Sequence, residues 1–168
     1  INITGPISSV GERLCDLFTA YNWPITPAIS TCLYAAILYD TGRFLFSNTT
    51  AKTLKEASQL IEKGADAYAI GQHIYENKSE ASFECLKVAL NNMCFNKENS
   101  YVYTILPKTI SQKEKTIDTI RQLKEADIAI VFHEQDNNVV KINLRSKRTF
   151  NVSKFASHFG GGGHPKAS

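Results

Sequence analysis

The chain closes on "NLRSKRTFNVSKFASHFGGGGHPKAS", Asn143 to Ser168, in which four glycines, Gly160, Gly161, Gly162 and Gly163, run directly into His164. Four glycines cost conformational entropy on folding and bury no side chain. They are useful where a ligand must come close to the backbone, because unobstructed N–H groups form a nest for an anion. His164 comes immediately after them and Lys166 lies two positions further on. "LRSKR" adds Arg145, Ser146, Lys147 and Arg148 at the end of the preceding strand pattern. A guanidinium fork, a hydroxyl, a glycine nest and an imidazole together suit a phosphate with an attached sugar or base. The bland alternative is a flexible turn beside a solvated basic patch, since a glycine-rich run is a weak signal by itself.

The second stretch is "LYDTGRF". Asp40 stands at a predicted helix end, before Thr41 and Gly42. A carboxylate projected there has the hard-oxygen character that divalent cations take. The alternative is a helix-terminal aspartate hydrogen-bonded to the following turn, in a place the helix dipole disfavours. The histidines elsewhere offer less. His73, between Ile70 and Ile74, reads as structural, and neither His133 nor His158 has a metal partner at a fitting spacing. The lysine-rich "SQKEKT" reads as a solvated helix face.

The elements that must position these residues fall into two halves. "SSVGERLCDLFTAYN" opens with Ser9 and Glu12 at capping-box spacing, and Leu14, Leu17 and Phe18 form its apolar stripe. "TPAISTCLYAAILYD" has Thr26 as N-cap and Pro27 at the first helical position, with Leu33, Ala36, Ile37 and Asp40 along one face. "AKTLKEASQLIEKG" is a helix with Leu54, Ala57, Leu60 and Ile61 inward and Gly64 as its stop. "ADAYAIGQHIYEN" and "SEASFECLKVALNNMCF" are two more, the latter with Phe83, Leu86, Leu90 and Met93 on one face.

After the polar "NKENS" the pattern changes. "YVYTIL" is a strand, "SQKEKTIDTIRQLKEA" a helix with Ile117, Ile120 and Leu123 inward, and "DIAIVFHE" a strand covered on both faces. "QDNN" is a turn, "VVKINLRS" the partner strand, and "NVSKFASHF" a short helix leading into the glycines. The expected fold is α/β: a helical part over residues 1–96, then a small β-α-β-β-α domain over 97–168.

Composition sets the outer limits. With 168 residues, 43% of them hydrophobic and 21% charged, the chain can bury one good core or two small ones. Its net charge of +3 tolerates an anionic ligand without marking a nucleic-acid binder. There is no apolar run of transmembrane length and no signal-peptide pattern. Cys15, Cys32, Cys85 and Cys94 form no C-x-x-C pair and read as reduced core residues of a cytoplasmic protein.

Taken together, "CLYAAILYDTGRFLFSNTT", the following "GAD" and "LRSKRTFNVSKFASHFGGGGHPKAS" resemble the DHH/DHHA1 phosphoesterases, with the nano-RNase (oligoribonuclease) and pAp-phosphatase type as the nearest branch. "ISSVGERL" also looks like the segment these proteins carry just after their Asp-His-His. The resemblance covers nearly the whole chain in the right order. It implies that residues 1–96 are the helix-rich end of a catalytic DHH lobe and 97–168 a DHHA1 substrate-binding domain. That lobe holds two divalent ions, usually manganese, and Asp40 matches the last metal-binding aspartate of the set. Arg145, Ser146, Gly160, Gly161, Gly162, Gly163 and His164 match substrate-contacting positions.

The implied parent enzyme is a metal-dependent hydrolase of short oligoribonucleotides or pAp-like nucleotides, in which a metal-activated water attacks phosphorus. The upstream metal motifs are absent from the sequence, Val10 replaces the family's usual threonine, and Ser168 stands where the family has a second alanine. The expectation is therefore an internal piece of a longer phosphoesterase, inactive alone, with a homodimer left open. The rivals are a non-catalytic RNA- or nucleotide-binding module and a cyclic-dinucleotide phosphodiesterase of the same superfamily.

Overall fold

The computed structural model describes residues 7–110 and 116–168. The described residues form two compact units that divide between Asn77 and Lys78.

The first unit is helical. Helix α1 (Val10–Ala20) starts at Ser9, whose hydroxyl accepts from the Glu12 N–H. Helix α2 (Pro27–Asp40) starts at Thr26 with Pro27 in its first turn, as its sequence predicts. Helix α3 (Ala51–Glu62) carries a capping box between Thr50 and Thr53, and the chain leaves it through Gly64 at φ +101°. A short helix α4 (Ala67–Gly71) widens into a π-helical turn over Gln72–Glu76, which leaves His73 exposed rather than buried as structural packing. Cys15, Leu33, Ile37, Ala57, Leu60 and Ile70 are among the buried residues of this unit's core.

The expected stripe is buried on α2, through Leu33 and Ile37, but not on α1 and only in part on α3. On α1 the buried residues are Gly11, Glu12 and Cys15, while Leu14 lies at the surface. A Cβ on Gly11 would sit 2.9 Å from the Leu33 carbonyl oxygen and 3.0 Å from Ala36 Cβ, so α1 meets α2 through its smallest residue. On α3 Thr53, Ala57 and Leu60 are buried, and Leu54 and Ile61 are half-exposed. Close approach of backbones selects small residues at these contacts, and the larger side chains turn aside.

The second unit is a four-stranded sheet with helices. Helix α5 (Glu80–Asn91) is followed by β1 (Cys94–Asn96), β2 (Tyr101–Leu106), α6 (Thr116–Ile120), β3 (Ile128–Glu134), β4 (Val140–Ser146) and α7 (Val152–Ser157). The strand order is β1-β2-β3-β4, with β2 and β3 parallel and the outer pairs antiparallel. Two elements differ from expectation. The helix read through "NNMCF" ends at Asn91, and Cys94–Asn96 becomes an edge strand paired with β2. Helix α5 also belongs with the sheet: Cys85 and Ala89 are buried with Val102 and Val131, and Thr104 donates to the Ala89 carbonyl at 2.8 Å. Phe83, Leu90 and Met93 are exposed instead. The compact units accordingly divide before α5 rather than at "NKENS", where the change of composition lies.

Register decides what each strand residue faces. Val102, Thr104, Leu106, Ala129, Val131 and His133 form the face covered by α5 and α6, and Lys141, Asn143 and Arg145 are paired onto it. The opposite face carries Tyr103 and Phe132 in edge-to-face contact beside a half-exposed Ile105. Strand β3 is therefore fully buried on one face and only partly on the other. Of the four free cysteines, Cys15 and Cys85 are core residues, whereas Cys32 and Cys94 are exposed. Residues 111–115 of the "SQKEKT" helix face lie outside the described residues. Among the described residues no helix is long and apolar enough to cross a membrane.

Candidate functional site

The closing glycines take up distinct structural tasks. Helix α7 starts at Asn151, whose side chain accepts from the Lys154 N–H at 3.1 Å. It ends where Gly160, at φ +74°, turns the chain and the Gly161 N–H donates to the Ala156 carbonyl at 3.0 Å. Gly163 is at φ +145°, and a Cβ there would lie 2.5 Å from the Ala167 carbonyl oxygen. Around Gly162 a Cβ would meet nothing within 4 Å. Among the described residues the N–H groups of Gly162 and Gly163 have no acceptor, and the loop is exposed. Two consecutive unpaired amides, with open space around Gly162, leave backbone donors available to an anion.

The last five residues tie this loop to the sheet. His164 and Ala167 exchange backbone hydrogen bonds at 2.7 and 3.0 Å, closing a two-residue turn over Pro165 and Lys166. The same segment lies along the free edge of β4. Leu144 and Ser168 exchange backbone bonds at 2.6 and 3.1 Å, and the Ser146 N–H donates to the Lys166 carbonyl at 3.1 Å. Arg145 is thereby paired with Ala167, and Ala167 with His164. Paired residues present their side chains on one face, so Arg145, Ala167 and His164 form a row. The smallest of the three stands in the middle. With neighbouring strands about 4.8 Å apart, the outer two are spaced by roughly twice that, room for a phosphate or sugar between a guanidinium and an imidazole.

Ser146 does not join this row. It comes after Arg145 in β4 and faces the other side of the sheet, where it is 3% exposed and, among the described residues, its Oγ has no hydrogen-bond partner. Arg145 is held in two ways. Its Nη1 donates to the Leu144 carbonyl at 3.1 Å, and its Nε lies 3.5 Å from Oδ1 of Asp118 in α6.

Asp40 belongs to the other unit and is the last residue of α2. Its side chain is exposed, and among the described residues its carboxylate has no hydrogen-bond or ion-pair partner. The turn after it is tightly specified. Gly42, Arg43 and Phe44 all have φ between 55° and 63°, a left-handed run that costs non-glycine residues about 1–2 kcal/mol each. Buried Thr41 holds it: its hydroxyl donates to the Ile37 carbonyl at 2.6 Å and accepts from the Phe44 N–H at 3.2 Å. The Arg43 guanidinium stacks 4.0 Å over the Tyr75 ring, and Tyr75 donates to the Leu38 carbonyl at 3.1 Å. Asn48 donates to the main-chain oxygens of Ser8 (2.7 Å) and Asp40 (3.1 Å), linking the entry of α1 to the end of α2. Neither Asn48 nor Asp118 stood out in the sequence. Each acts through a partner far away in the chain or through a main-chain oxygen, and no local spacing marks them.

A carboxylate free of protein partners, on a turn braced from several sides, can accept a cation or a donor. Among the described residues, however, no three His, Cys, Asp or Glu side chains converge on a point. Asp40 alone does not make a two-metal centre.

Comparison with known proteins supplies the context. Residues 98–168 match the DHHA1 domain. Over 164 residues the chain is 32% identical to the bifunctional oligoribonuclease and PAP phosphatase NrnA of Mycoplasma genitalium, covering 94% of this chain and 50% of that protein. It is 30% identical over 176 residues to the NrnA of Bacillus subtilis, covering 96% of this chain and 54% of that one. The crystal structure of an exopolyphosphatase-related protein from Bacteroides fragilis matches 99% of this chain and 52% of its own, with a TM-score of 0.91 and 27% identity. The chain spans about half the length of the curated relatives it matches.

Proposed function

Since the chain belongs to the DHH/DHHA1 phosphoesterase family, with its DHHA1 domain at residues 98–168, we propose that this domain binds a short oligoribonucleotide or a pAp-like nucleotide by its phosphate. The observation that carries the reading is the pair of unpaired amides at Gly162 and Gly163, on a loop that sheet pairing sets beside Arg145 and His164. The amides and the guanidinium donate to phosphate oxygens. Each charge-assisted bond contributes about 1.5–3 kcal/mol, part of which is lost in ordering ligand and loop. His164, exposed at the end of the row, donates to a second oxygen or stacks on a base.

For the whole enzyme we propose metal-dependent hydrolysis of a phosphate ester in the cytoplasm, with two divalent ions, manganese in type, and Asp40 as one ligand. The described residues do not fit such a centre by themselves. The lone carboxylate also favours a second reading, in which these residues hold nucleotides without turning them over. A homodimer is compatible with either.

Titrating pAp into 15N-labelled protein tests the binding reading. The expected result is progressive movement of the Gly160–His164 amides, with affinity lowered at least tenfold in Arg145→Ala. Amides that stay still while lysines elsewhere respond would reduce the glycines to a turn.

A further inference from the structure

We propose that Asp118 is the positioning residue for Arg145, setting the guanidinium so that one edge is left for phosphate. This rests on the reading that Arg145 binds the substrate phosphate. The geometry is specific to the three nitrogens. Nε faces Asp118 Oδ1 at 3.5 Å, and Nη1 donates to the carbonyl of Leu144, the residue before it. Two of the three corners of a planar group are thereby tied, one by a helix and one by its own strand. Among the described residues Nη2 has no protein partner, and its two N–H groups are free for a ligand. A free arginine would lose about 2 kcal/mol of rotamer entropy on being fixed by phosphate. Here the protein has largely fixed it beforehand, and preorganisation of that kind raises affinity without a new contact.

The placement of Asp118 supports the assignment. The adjacent Ile117 and nearby Ile120 are buried and anchor α6 against the sheet, so the aspartate is carried by a packed element. Ala129, paired with Arg145 on β3, is fully buried, so the strand residue beneath the guanidinium is itself fixed in the core. Asp118 itself is 41% exposed in its side chain, so its pairing with Arg145 does little for stability. Its consequence is orientation.

The test is a double-mutant cycle on the full 168-residue chain, with pAp as the probe. Asp118→Ala is expected to weaken binding about three- to tenfold in the wild-type background. In the Arg145→Ala background it should change affinity by less than twofold, because there is no guanidinium left to position. An aspartate with a merely structural role would weaken binding in both backgrounds. Unchanged or tighter binding in Asp118→Ala, with Arg145→Ala still weak, overturns the inference and leaves the phosphate reading intact. Unchanged binding in Arg145→Ala removes both. Asp118→Asn, which keeps the volume, serves in the same cycle if the alanine variant is unfolded. Exchange of the Arg145 Nε–H gives a measure independent of any variant: protection in the unliganded protein supports the pairing, and exchange as fast as free arginine overturns it.

Discussion

Glu12 is 3% exposed, yet it is an acid held as a carboxylate. Burial pushes its pKa up, but hydrogen bonds from the Ser8 hydroxyl and N–H and from Thr53 Oγ1, with the charge of Lys52 3.5 Å away, outweigh burial and hold it below the ordinary value near 4.5. Glu56, across the same lysine, goes the other way. Burial raises it, Lys52 only partly opposes this, and among the described residues its buried Oε2 has no partner. The signs come from linkage. Glu12 contributes stability above the unfolded-state pKa and loses it as pH falls below about 4.5. Glu56 costs stability while ionised, and that cost is relieved as pH falls through its raised folded value. Glu56→Gln should therefore raise the melting temperature at pH 7 and flatten any gain on mild acidification. Glu12→Gln should lower stability at pH 7 by about 1–3 kcal/mol and flatten the loss below pH 4.5. Thermal melts from pH 3.5 to 7.5 check both, and a destabilised Glu56→Gln at neutral pH would contradict the assignment.

At the scale of elements, the loop after α7 joins two demands that four identical residues conceal. Gly163 is needed by the fold: its left-handed φ and the Ala167 carbonyl 2.5 Å from any Cβ leave no room for a side chain. Gly162 is open, and on the binding reading it is needed by the ligand. Gly163→Ala is expected to detach the 164–168 segment from β4, seen as rapid exchange of the Leu144 and Ser146 amides. Gly162→Val should leave that exchange slow and still weaken pAp binding about tenfold by blocking backbone approach. Ala167→Leu should do the same by filling the space between Arg145 and His164. Equal protection and equal binding in all three would mean that the loop serves neither purpose.

For the molecule as a whole, the arrangement of carboxylates sets a limit on chemistry. Hydrolysis of a phosphodiester through two ions needs several ligands on each, and the described residues bring Asp40 alone to its turn. The 168-residue chain is expected to bind pAp and short RNA without hydrolysing them, with manganese in excess, at a rate below a thousandth of that of a complete family enzyme. Product release monitored over hours decides it. Turnover approaching the complete enzyme's would show that this chain assembles a metal centre from residues other than those that converge in the fold.

Much of the local structure was legible in the sequence because its causes are local. Ser9, Thr26 and the adjoining Pro27 start helices where their side chains and fixed φ demand, Gly64 ends one, and the alternation in "VVKINLRS" sorts β4 into two faces. The Asp40 turn and the glycine run were likewise visible as residue types at a spacing. Tertiary structure alone decided what these residues meet. On α1 and α5 the faces with the larger apolar residues lost to faces with Gly11 and Ala89, because backbone approach rewards small residues in a way that hydrophobic periodicity does not register. Cys94–Asn96 became a strand because β2 offered it an edge, and α5 joined the sheet through Thr104 and Ala89. Ser146 turned away from Arg145 by the pleat, while pairing of the closing segment with β4 lined Arg145 up with His164, 19 residues later. Such register is a long-range choice: its hydrogen bonds join residues whose local sequences carry no mark of one another.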